Sequence, residues 1–444
     1  MKNNVAVKGI FHWKQCVGTA NASQGRWKKS APLLLVAGMF MVGSVLALTF
    51  GVPVKMVMKN YSYDVLVIMI VMELFTNLIA ETGAMEYVAI LIAQVSQGKK
   101  RWCLLLFGGG LCIVSSMLNN ITAVLMILPV VFTLLKAIEA DQQYICVFFA
   151  VLLALSNTGG AASPVGDFPA LVILSSGITT FVGYLIRAFP LFLLTSAALI
   201  GVWVFYVKPE KGDGAVRSLA VSILKSQYAN IEIRFDVLKC LGVVFSCMLC
   251  AWCTVPQELL PPEVIAVLGY CAAMVISSAK GMKVRQFMNL GSVLTIASFL
   301  FLAQVIAQIG VLEVFVAYLQ QHITNPKVLM LVIMVITSLI AGLVGAGPAA
   351  AAIMPVIVEI CSGPLAVQSD WIAVAYAAAI CSGSSLFMWS ATAGFILSAK
   401  VNAAGLEEEN GSKIAWGVGQ YLKYGMVNYA IQLGIALTVA AMVL

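Results

Sequence analysis

Charge is scarce in this chain. Only 10% of its 444 residues are Asp, Glu, Lys or Arg, against 61% hydrophobic. A soluble protein of this length must cover its surface with polar groups, so the composition excludes an ordinary water-soluble fold. Histidine is nearly absent. His12 and His322 are the two, and no histidine-based metal or catalytic centre is expected from them. Eleven cysteines are present, but Cys103, Cys112, Cys146, Cys271 and Cys381 sit inside apolar runs, which argues against a disulfide framework. Cys247, Cys250 and Cys253 share a helical spacing with no His or carboxylate nearby, and thiols in such a helix act as small hydrophobes. No nucleophile–base pair stands out. The chain is therefore expected to be no enzyme and to need no metal or cofactor.

What the sequence has instead is long uncharged runs, such as residues 31–54 and 424–444. A helix rises about 1.5 Å per residue, so about 20 residues cross a hydrocarbon core. The lipid bilayer is the expected surrounding, and the fold class is an all-α polytopic membrane protein. Spans are expected over 31–53, 63–82, 143–179 (broken), 181–207, 238–256, 262–279, 289–309, 371–399 (broken) and 424–444. Apolar hairpins are expected over 102–136 and 327–362, either re-entrant or fully spanning.

The net charge of +7 does not point to nucleic acid, because the basic residues flank the spans. With the N-terminus inside, 22 of the 26 Lys and Arg residues fall on the cytoplasmic side. The first thirty residues lack the short charged region and early apolar core of a signal peptide. The expected organisation is a basic cytoplasmic tail (1–30), a first transmembrane repeat (31–207), a cytoplasmic linker (208–236) and a second repeat (237–444), in an inner (plasma) membrane.

The repeat is visible in the letters. LIAETGAME at residues 78–86 matches VIAQIGVLE at 305–313, ILPVV at 127–131 matches IMPVI at 353–357, and NTGGA at 157–161 aligns with CSGSS at 381–385. All three offsets are close to 226 residues. Loop charge sends the two copies in from opposite faces, which predicts inverted-topology repeats, each with a re-entrant hairpin and a broken helix. Secondary transporters use such repeats, with the site between them near the midplane.

Polar residues inside the oil carry the candidate site. SSMLNNITAVLMILPVV places Asn119, Asn120 and Thr122 at the first hairpin tip. They either glue helices together or ligate an ion. SNTGGAASPVGDFPALVIL follows, with Asn157, Thr158, Gly159, Gly160, Gly166 and Asp167. Its glycines and prolines cannot form a continuous helix, and broken backbone at membrane depth lines a cavity or is buried in protein. An acid there marks function by default. Asp167 and Glu73 are the proton-coupling candidates. The second tip, GLVGAGPAAAAIMPV, keeps the helix breakers and lacks the amides, while the second break offers Ser384, Ser385 and Thr392. Arg187 reads as a snorkelling anchor.

The run from Tyr63 to about Tyr206, with ETGAMEYVAI, SSMLNNITAVLMILPVV and NTGGAASPVGDFPALVI, resembles the ion transporter superfamily. It is most similar to permeases of the arsenical-pump and NhaD-type sodium/proton antiporter group, which carry citrate-transporter-like domains. The resemblance implies paired inverted repeats, a site between the hairpin tips, and a homodimer. It implies binding roles for Asn119, Asn120 and Thr122 at the tip, and for Asn157, Thr158, Gly159, Gly160, Gly166 and Asp167 at the break. Asn119 stands where many relatives have Asp, and Phe168 and Ala170 interrupt the usual Gly-Asp-Pro-Pro-Asn run. The expected function is an ion-coupled secondary transporter working by alternating access, with Na+ or H+ as coupling ion. Sodium/proton antiport leads, a citrate, dicarboxylate or arsenite-type anion transporter is the alternative, and an ion channel is the remote one. The substrate is thus a small inorganic ion or a small organic anion.

Overall fold

The computed structural model describes residues 26–59, 61–208, 233–256, 258–282, 290–310, 325–363, 368–391, 393–407 and 412–444, with a few isolated positions between them. Among these residues the chain is nearly all helical. Eight helices are long and apolar enough to cross a membrane, and the protein is a multi-pass integral membrane protein.

The helices are α1 (Arg26–Thr49), α2 (Val54–Lys59), α3 (Tyr63–Ala80), α4 (Ala84–Ser96), α5 (Lys100–Ser115), α6 (Asn120–Ala137), α7 (Gln142–Ala161), α8 (Phe168–Ser175) and α9 (Phe181–Tyr206). After the loop come α10 (Phe235–Thr254), α11 (Pro262–Ala279), α12 (Leu290–Ile309), α13 (Pro326–Val344), α14 (Ala346–Cys361), α15 (Ser369–Ser384), α16 (Gly394–Ala403) and α17 (Val418–Val443). Three boundaries differ from the sequence expectation. Helix α1 begins inside the expected tail, α4 fills a stretch assigned to no element, and α17 starts six residues before Tyr424. Helix α4, with 13 residues, is too short to cross a membrane.

The repeat shows in the register of helix starts. The pairs α3/α12, α5/α13, α6/α14, α7/α15 and α8/α16 each begin 226 or 227 residues apart. The broken spans are α7–α8, interrupted at 162–167, and α15–α16, interrupted between Ser385 and Ala393. The first break comes later than the sequence suggested, because Asn157 to Ala161 still belong to α7.

Helices α7 and α15 form the centre. Every residue of α7 from Tyr144 to Ala161 is buried, and so is every residue of α15 from Ile372 to Ser384. An all-round apolar helix is one that neighbours surround. Side-chain contacts fix the directions of the two. Gln143 Nε2 donates to Tyr206 Oη at 3.0 Å, so α7 begins where α9 ends. Thr179 Oγ1 donates to Asp370 Oδ1 at 2.7 Å, and Arg187 pairs with Asp370 Oδ2 at 2.8 Å, so α15 begins where α9 begins. Helix α17 repeats the pattern. Gln142 exchanges hydrogen bonds with Ala415 ahead of its start, and Gln368 Nε2 donates to Val443 O at its end. Helices α7 and α15 therefore run in opposite directions between α9 and α17.

The outer spans are exchanged between the halves. Helix α1 packs on α12, with Phe40 and Phe301 ring centroids 5.3 Å apart, while α11 packs on α3.

Candidate functional site

The first tip is built on a helix start that caps itself. Asn119 is the N-cap of α6, and its Oδ1 accepts from Ile121 N at 3.0 Å and Thr122 N at 3.4 Å. Two of the four donors that every helix start leaves unpaired are thereby satisfied without water. Asn119 N in turn points at Thr76 Oγ1 of α3, 3.5 Å away. Glu73 lies three residues before Thr76, one helical turn along α3.

The tip is pressed into the first break. Ser115 Oγ, at the end of α5, lies within donating distance of Ser156 O at 2.7 Å and of Asn120 Oδ1. Ser163 Oγ donates to Ser116 O. Asn120 is buried, and its side chain faces the Asp167 carboxyl and interacts with it. Two glycines permit this closeness. A Cβ on Gly159 would strike Cys112 O, and one on Gly160 would strike the Asn120 amide. Gly166 lies in the break, against Ser115 O and Gly160 O. The sequence read these glycines as helix breakers, whereas Gly159 and Gly160 are helical and serve close approach.

Asp167 is the N-cap of α8, with Oδ1 accepting from Phe168 N at 2.9 Å. It keeps partial exposure among buried neighbours. Asn157 Nδ2 donates to Ser384 Oγ at 3.2 Å across the two central helices. Thr158 Oγ1 donates to Ala154 O at 2.7 Å and accepts from Gln432 Nε2 at 2.9 Å. Asn120, Gly160, Gly166 and Asp167 thus converge where α5, α6, α7 and α8 meet, with Asn119 at the start of α6, whereas Asn157 and Thr158 turn to α15 and α17. Thr122 sits in the first turn of α6.

The second half is different. Ser384 reaches Asn157, and Ser384 Oγ and Ser385 Oγ both return to Cys381 O, at 2.8 and 3.3 Å. Thr392 lies outside the described residues. Gly345, with φ of +111°, precedes α14 and supplies no side-chain cap, a backbone state that a side chain would strain. Arg187, read as an anchor, instead ties α9 to α15 through Asp370 and also donates to Gly183 O at 2.9 Å.

Several residues at the site escaped the sequence reading. Tyr184 Oη donates to Ala161 O at 2.8 Å, and Tyr421 Oη donates to Ser385 O at 2.7 Å. Each tyrosine caps a carbonyl at the end of a broken helix. Nothing local in the sequence marks them. Asn428 and Gln432 could have been found. They stand four residues apart in the last apolar run, the same signal that marked Asn119 and Asn120. Asn428 accepts from Trp203 Nε1 at 2.7 Å and donates to Ala150 O at 3.3 Å.

Comparison with known proteins agrees with this architecture. The chain is 25% identical over 378 residues to an uncharacterized transporter of Mycobacterium tuberculosis, covering 84% of each chain. It is 22% identical over 436 residues to the magnetosome protein MamN of Magnetospirillum gryphiswaldense, covering 92% of this chain and 96% of that one. Its fold is similar to that of the Alcanivorax borkumensis YdaH transporter, with a TM-score of 0.54 at 15% identity over 93% of this chain and 96% of that one. Residues 26–380 match the family described as citrate transporter (CitMHS), and the chain belongs to that family of transporters.

Proposed function

We propose that the protein is an ion-coupled secondary active transporter that works by alternating access and exchanges a monovalent cation, Na+ or Li+, for protons. One observation carries the choice of cation. Among the described residues, Asp167 is the acid in the hydrogen-bonded shell of the first tip and break, and no Lys, Arg or His pairs with any member of that shell. A buried anion would meet a carboxylate with no counter-charge, at a cost of several kcal/mol. A cation would meet the Asp167 carboxylate beside the Asn120 side chain, whose Oδ1 would exchange the Ser115 hydroxyl for the ion. A carboxylate that holds either a proton or a cation, and not both, gives exchange without further machinery. Glu73, one turn from Thr76, is the second proton-coupling candidate.

The opposed directions of α7 and α15 support an inverted repeat. Charge supports an inner-membrane protein with its N-terminus in the cytoplasm, since the Lys100–Asp141 pair and the Asp236–Lys280 pair both belong to the side where basic loops gather. An anion such as citrate is the second reading. The family description favours it.

Transport into proteoliposomes tests the proposal. Vesicles carrying an inward proton gradient and a pH dye receive sodium, lithium, citrate or arsenite in turn. Sodium or lithium is expected to dissipate the gradient, and Asp167→Asn and Asn120→Ala to stop it. Proton flux driven by citrate alone would transfer the conclusion to the anion reading.

A further inference from the structure

The two halves offer different chemistry at equivalent places. In the register of the helix starts, Asn119 falls on Gly345, Asn120 on Ala346, Thr122 on Pro348 and Asp167 on Ala393. The equivalence holds in three dimensions. Asn119 and Gly345 are the caps that precede α6 and α14, and Asp167 and Ala393 are those that precede α8 and α16. At each of these positions a side-chain oxygen in the first copy is replaced by hydrogen, a methyl group or a pyrrolidine ring.

The described oxygens left at the second tip are engaged, as Asn119 Oδ1 and Asn120 Oδ1 also are at the first, so the two tips differ in the Asp167 carboxylate and in the number of side-chain oxygens. Ser390 Oγ donates to Phe387 O at 2.6 Å and lies 3.3 Å from Phe387 N, and Ser390 O accepts from Ala346 N at 3.4 Å. Ser385 O takes the Tyr421 hydroxyl. Beside them Phe387 and Trp389 stack with centroids 4.4 Å apart and planes 5° from parallel, and Trp389 Nε1 donates to Leu343 O at 3.2 Å. An aromatic pair stands against this tip, and among the described residues no carboxylate is there to neutralise an ion. A small cation stripped of water needs several oxygens and a counter-charge to offset its desolvation.

We propose that, of the two tips, the first takes one monovalent cation of the Na+ or Li+ class and the second takes none. This inference rests on the cation reading above and adds its stoichiometry.

Equilibrium binding of radioactive sodium to the purified full-length chain tests it. One cation per chain and a Hill coefficient near one are expected. Asp167→Asn, which keeps size and shape, is expected to weaken binding at least about 100-fold, with thermal unfolding and gel-filtration profiles unchanged. Two cations per chain, a Hill coefficient approaching two, or saturable binding that survives in Asp167→Asn would overturn the single-site inference and leave the cation reading standing. A folded wild-type chain that binds neither sodium nor lithium would overturn both.

Discussion

Asn157 of α7 and Ser384 of α15 touch each other through a 3.2 Å hydrogen bond. The bond ties together the two buried central helices, α7 and α15, which run in opposite directions. Ser384→Ala leaves Asn157 Nδ2 buried without an acceptor, a loss of about 1–3 kcal/mol. Thermal unfolding in detergent is expected to show it, and Asn157→Leu combined with Ser384→Ala should cost less than the two single losses together. Strict additivity would show that the bond contributes nothing.

Gly160 holds the tip against the break. Gly160→Ala drives a methyl group into the Asn120 amide. A displacement of that order at a binding site lowers turnover by about 100-fold. Initial transport rates measure this, with Gly201→Ala as the control. No atom lies within 4 Å of a Cβ added at Gly201, so its rate should match wild type.

Asp141 gives a pH signature at the opposite end of α7. Burial pushes its carboxyl up, but the hydrogen bond and charge of Lys100, 2.6 Å away, with two backbone N–H groups, more than offset this and hold it below the ordinary carboxylate range. A carboxyl depressed in the folded state contributes stability above its unfolded value of about 3.9, and that stability is lost as pH falls through the folded value. Melting temperature should therefore fall more steeply below about pH 4 in wild type than in Asp141→Asn. The effect should be small and shrink with salt, since the Asp141 side chain is 53% exposed.

Asp370 and Arg187 should not be equally sensitive. Arg187→Ala removes a partly exposed ion pair, worth under about 1 kcal/mol, together with its hydrogen bond to Gly183 O within α9. Asp370→Ala removes that pair and the acceptor of Thr179 as well. Chemical denaturation is expected to rank Asp370→Ala below Arg187→Ala in stability, and equal losses would remove Thr179 from the account.

Much of this was legible in the letters, for physical reasons. Lipid demands long apolar helices, so hydropathy located most spans. Duplication left matching blocks, so ILPVV and IMPVI located the repeats. Gly and Pro located the breaks, although the helix ran on to Ala161 because Gly159 and Gly160 are held by packing against Cys112 and Asn120. Helix α4 was missed because 13 apolar residues do not announce a span. Tyr184 and Tyr421 were missed because their partners lie 23 and 36 residues away, and no local pattern encodes such a pairing.

The exchange of outer spans bears on how such a chain could arise. Helix α1 lies against α12, and α11 lies against α3, so each half borrows its wall from the other. A half-length ancestor built this way would have left Phe301 and its neighbours bare to lipid unless a second molecule supplied the missing span.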